Sequence, residues 1–87
     1  MHTKRSDKIE LLIAEEEALQ EKINTCEICV SAVLDAIVER QRDIHILTAE
    51  GILSSIHTIS TDFQTELLHL KLEKIIVASS EMASHQI

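Results

Sequence analysis

Proline is absent from this chain, as are tryptophan and tyrosine, and glycine and phenylalanine occur once each. Each absence excludes something. With no proline and one glycine there is almost no turn punctuation, whereas an all-β fold needs a turn about every 8–12 residues. With Phe63 as the only aromatic, the stacking platforms that hold single-stranded nucleic acid are missing. Duplex binding requires clustered Lys and Arg, and the net charge is −7. Lys4, Arg5 and Lys8 make a basic tip too short to serve as a nucleic-acid arm, so no nucleic-acid partner is expected. Cys26 and Cys29, the only cysteines, do not make a disulfide framework, and a bridge between them would close almost no loop.

Long apolar runs are also lacking. None approaches the ~18–20 residues of a membrane span. The most apolar stretch, Ile28 to Val38, is interrupted by Ser31 and Asp35. Met1 to Ile9 is polar where a signal peptide needs an apolar core. The expectation is a cytoplasmic chain without a membrane span.

What the chain does contain is aliphatic. Hydrophobic residues make up 45% of its 87 residues, mostly Ile, Leu, Val and Ala, which is too apolar for disorder. The length allows one domain. At this size a lone core is marginal, and disulfides, a metal or a partner chain usually complete it. Oligomerisation is the expected source of the missing burial.

The strongest pattern is a heptad. Ile9, Leu12, Glu16, Leu19, Ile23, Cys26, Val30, Val33, Ile37, Arg40, Ile44 and Leu47 follow one another at steps of three and four, and only Glu16 and Arg40 are polar. Residues so spaced share one helix face, and a repeat held this long is the seam of a coiled coil or bundle. Cys29, Ala32, Leu34 and Ala36 widen it in the middle, as in a helix with more than one neighbour.

The pattern loses phase near residue 50. A second stripe runs Ile52, Ile56, Ile59, Phe63, Leu67, Leu70, Lys74 and Val77 or Ala78, and Leu68, Leu72 and Ile75 add another. The break falls at the only glycine, which predicts a turn at about 49–51 between helices at about 7–48 and 52–84. Asp7 with Glu10 has capping-box spacing, as do Asn24 with Glu27 and Thr61 with Gln64. The unbroken heptad through Ile23 and Cys26 favours one continuous first helix. Folded at Gly51, the longer first helix would leave Ile9, Leu12 and Ile13 overhanging, which a partner chain would cover.

Residues with chemical potential are few. Cys26-Glu27-Ile28-Cys29 spells C-x-x-C, but the redox motif belongs in a βαβ context and a zinc site needs two further ligands. The plain reading is two small residues on a buried face. Glu66 and His69 spell the E-x-x-H of ferritin-like bundles. The carboxylates expected at their level, Asp35 and Glu39, lie at outer heptad positions f and c. His45, His57 and His69 recur every twelve residues, which rotates 120° past whole turns and gives no shared face. Glu10, Glu15, Glu16, Glu17 and Glu21 form an acidic first helix, of the kind usually found as a solvated face. No G-x-S-x-G, P-loop or dinucleotide fingerprint appears. No catalytic, cofactor or metal residue is expected, and no cofactor.

In layout the chain resembles the secreted helical hairpins of the WXG100 type, which are acidic, of similar length, and carry Trp-x-Gly in the central turn. The corresponding residues are Ala49-Glu50-Gly51, with Gly in place and Trp missing. Their C-terminal Tyr-x-x-x-Asp/Glu falls on Val77 to Glu81, with Val in place of Tyr.

The expectation is an all-α fold: one long antiparallel helical hairpin with heptad seams, dimerising into a four-helix bundle. Its function is expected to be non-enzymatic protein–protein interaction, as a small adaptor, scaffold or regulatory subunit in a homo- or hetero-oligomer. The interface would be Ile9, Leu12, Leu19, Ile23, Val30, Val33, Ile37, Ile44, Ile56, Phe63, Leu67 and Leu70. The alternatives are a dimeric ferritin-like metal bundle using the E-x-x-H pair, and a secreted WXG100-like partner.

Overall fold

The computed structural model describes residues 4–85, with side chains described over residues 7–80. Two helices account for nearly all of it, α1 (Lys4–Glu39) and α2 (Ile46–His85), packed antiparallel. At 1.5 Å per residue they are about 54 and 60 Å long. The molecule measures 69 × 19 × 13 Å along its principal axes, one helix thick. No described residue has a positive φ.

The α1 heptad is the packing seam. Leu12, Leu19, Ile23 and Cys26 are buried, and Ile9, Glu16, Val30, Val33 and Ile37 are half-buried. From Asp7 to Asp35, every residue off this register is exposed. α1 runs unbroken through Asn24 and Thr25. The Gln20 amide donates to Asn24 Oδ1 at 3.0 Å, and the Thr25 hydroxyl donates to the Glu21 carbonyl at 2.8 Å. Asp7 lies within the first turn of α1 rather than capping it.

The seam of α2 is Ala49, Leu53, Ile56, Ser60, Phe63, Leu67, Leu70, Lys74 and Val77, at alternating steps of four and three. This corrects two expected positions. Ile52 and Ile59 are exposed, and Leu53 and Ser60 face inward in their place. The phase is set by the alternation from Phe63 to Val77. Extended backward it reaches 60 and 53, so Ile59 and Ile52 fall one position outside it.

The turn is not at Gly51. The connection is Arg40 to His45, and Gly51 lies inside α2. The seam residues Arg40 and Ile44 thus belong to the connection, and Leu47 is exposed in the first turn of α2. The chain leaves α1 through Arg40 N–H to the Ala36 carbonyl at 2.9 Å. It then tightens with Asp43 and Ile44 N–H donating to the Arg40 carbonyl at 2.8 and 3.1 Å. His45 caps α2. Its Nδ1 accepts the Thr48 N–H at 3.2 Å and lies 2.8 Å from the Thr48 hydroxyl, while its carbonyl accepts the Ala49 N–H at 3.0 Å. A side-chain acceptor three residues before the N–H it receives is an N-cap arrangement, here provided by an imidazole.

Moving the turn reverses the inequality of the helices, and α2 is the longer. The overhang expected at Ile9 and Leu12 does not exist: α2 covers Leu12, which is 3% exposed, and only Ile13 stays open.

Candidate interaction surfaces

All twelve expected interface residues lie on the inner side of the hairpin or at its connection, and none is among the exposed aliphatics. They join α1 to α2 within one chain. The exposed large aliphatics are a different set. Leu11, Ile13, Ile28, Leu34, Val38, Ile46, Leu47, Ile52, Ile59, Leu68, Leu72, Ile75 and Ile76 are all 40% or more exposed.

Charged groups mark one edge of the seam. Lys8 Nζ lies 3.2 Å from Glu73 Oε2, and Lys22 Nζ lies 5.5 Å from the Phe63 ring centroid. Further toward the connection this edge becomes apolar, with Cys29 and Ala36 on α1 and Ile59 and Ile52 on α2. Within the seam, Lys74 Nζ donates to Glu16 Oε1 at 2.7 Å. Glu16 therefore pairs with a residue of its own chain, and Arg40 stands at the connection instead of facing it.

Glu66 and His69 line a shallow groove with Glu15, Ala18, Leu19, Lys22 and Leu70. The α1 residues at their level are thus Glu15 to Lys22, not Asp35 and Glu39. Glu15 brings a second carboxylate, and Lys22 brings a cation, which opposes metal binding. No group of three or more His, Cys, Asp or Glu residues among the described ones is arranged to hold a metal. Cys26 is buried in the seam and Cys29 is exposed beside it, both as free thiols. His45 caps α2, His57 lines a groove with Cys26 and Val30, and His69 sits on the opposite edge.

The outer face of α2 carries the densest exposed apolar patch. Leu68, Leu72, Ile75 and Ile76 are 54–66% exposed within nine residues. The spacing of the first three already marks a stripe in the sequence. The exposure of Leu11, Ile28 and Val38 has no comparable sequence signal, because they lie on no shared register.

No family model matches the chain, and no curated protein or solved structure is significantly similar to it. The WXG100 likeness loses its one matched turn residue, since Gly51 lies in a helix and the connection holds neither Trp nor Gly. The glutamate of the C-terminal motif, Glu81, falls outside the described side chains. No helix among the described residues is long and apolar enough to cross a membrane.

Proposed function

We propose that this chain is a non-enzymatic helical interaction module, an adaptor, scaffold or regulatory subunit whose hairpin associates through its outer faces with further helices. The observation that carries this reading is exposed area. The hairpin leaves 6910 Å² accessible, whereas a compact chain of 9.8 kDa leaves about 5,200 Å². The excess, about 1,700 Å², is roughly twice the ~800 Å² each partner gives to a standard interface. Much of it is aliphatic. Among the described residues only Leu12, Leu19, Ile23, Cys26 and Ala49 are buried, against thirteen large aliphatics left open. Isolated surface aliphatics are ordinary, but contiguous ones mark contact sites.

Sedimentation equilibrium of the whole chain tests the reading. The expected result is a species of two or more chains at micromolar concentration. A folded monomer at ~100 μM overturns it. Metal analysis of protein purified without an affinity tag separates it from a metal-binding bundle: stoichiometric iron, manganese or zinc, lost in His69→Ala, would favour the bundle.

A further inference from the structure

We infer that the occupant of the outer face of α2 is the same face of a second copy, running antiparallel; this rests on the association proposed above and names its partner and surface. The face is a second heptad stripe, opposite the seam: Gly51, Ser54, Thr58, Thr61, Thr65, Leu68, Leu72, Ile75 and Ser79. Its steps alternate three and four, and every member is exposed. It runs about 42 Å along α2. None of these positions is charged, although 26% of the chain is. The outer side of α1 is different, with Glu21 and Asp35 among its exposed residues.

The stripe is graded by size. Its first half is small, from Gly51 to Thr65, and its second half carries Leu68, Leu72 and Ile75. A parallel copy would set bulk against bulk at one end and leave a gap at the other. An antiparallel copy sets small against large through the middle of the stripe: Thr65 opposite Leu68, Thr61 opposite Leu72, and Thr58 opposite Ile75, with Ser54 and Ser79 facing each other beyond them. Such alternation lets facing layers interdigitate, and a surface that complements itself when reversed is what a two-fold interface requires.

Two further observations favour burial here. The Thr58 and Thr65 hydroxyls donate to the carbonyls of Ser54 and Thr61 at 3.1 and 3.0 Å. Their hydrogen-bonding need is already met within the helix, so covering them leaves no orphaned donor. On one flank of the stripe, the same register sets Asp62 about 3 Å along the axis from His69 of the second copy, and the reverse, as a reciprocal pair. The product is an array of four helices with the two α2 helices at its centre. One such face accounts for about half of the excess exposed area.

Disulfide trapping tests the register. In a Cys26→Ala/Cys29→Ala background, Thr61→Cys and Leu72→Cys are prepared separately, mixed and oxidised. The mixture should cross-link, because the two sites are opposite each other and a disulfide needs Cα atoms within about 7 Å. Either variant alone should not, since each site lies about 16 Å along the axis from its own copy. A Leu72→Cys dimer that cross-links with itself overturns the arrangement, as does a dimeric mixture that stays uncross-linked. Leu72→Glu, at a position exposed in the hairpin, should keep the helical signal and weaken self-association by on the order of a hundredfold, because the change is made twice in one interface. An unchanged dimer with Leu72→Glu overturns this face alone and leaves the proposed association standing, whereas a monomeric parent chain removes both.

Discussion

The Lys74 ammonium meets the Glu16 carboxylate at 2.7 Å across the seam, 58 residues away along the chain. Both positions belong to heptads that are otherwise dominated by aliphatic residues. A heptad seam on its own admits slippage by whole repeats, since each repeat offers similar side chains. A single opposite-charge pair, with Glu16 only 14% exposed, penalises every slipped register, because the carboxylate would then face aliphatic side chains without a partner.

The pair should therefore matter more through its breaking than through its presence. Glu16→Leu alone and Lys74→Leu alone are each expected to cost about 1–2 kcal/mol, below the ~3–5 kcal/mol of a fully buried pair because Lys74 stays partly solvated. The double variant is expected to be near neutral or more stable. Urea denaturation of the four proteins measures the coupling, and additive single effects would show that the two side chains act independently.

Gly51 should behave as a helix residue. A methyl group added there meets open space, with no atom within 4 Å. Gly51→Ala is expected to raise stability by up to about 1 kcal/mol, the difference between the two residues in a helix interior. Thermal unfolding decides it. A loss of stability would place Gly51 in a turn that needs its conformational freedom.

His45 should be replaceable only by another acceptor. His45→Ala removes the group that receives the Thr48 N–H and is expected to cost about 1 kcal/mol, whereas His45→Asn should keep most of the stability. Denaturant midpoints of the two variants give the comparison, and equal losses would mean that the imidazole is not acting as a cap.

Two leucines of α1 should differ sharply. Leu19 is 5% exposed and Leu11 is 58% exposed. Leu19→Ala is expected to cost about 2–4 kcal/mol and Leu11→Ala less than about 0.5 kcal/mol in the hairpin. Comparable losses would mean that Leu11 is itself buried, in the assembly.

The inner face of α1 was legible because its period is strict: from Ile9 to Ile37 the alternation of three and four never slips, and burial follows it. The turn was not legible, because its chemistry is unusual. The connection from Arg40 to His45 uses no glycine or proline and ends in a histidine cap, while the only glycine lies within a helix. Five of those six residues, Arg40, Gln41, Arg42, Asp43 and His45, are polar, and that run was the available signal. The error at Ile52 and Ile59 followed from it. A helix assumed to begin at Gly51 has no earlier residue to fix its phase, whereas the actual helix reaches back to a buried Ala49. The outward stripe of α2 was half legible: its Leu and Ile members stand out, and its Ser and Thr members do not.

Four of the five buried residues, Leu12, Leu19, Ile23 and Cys26, lie well away from the connection, and only Ala49 is near it. Loop closure favours contacts close to the turn, yet the deepest burial lies toward the open end. The six residues between the helices thus serve as a tether that raises the effective concentration of one helix for the other. The clasp lies along the middle of α1 and toward its start. Local opening should begin beside the connection, and amide protection should peak around Leu19 to Cys26.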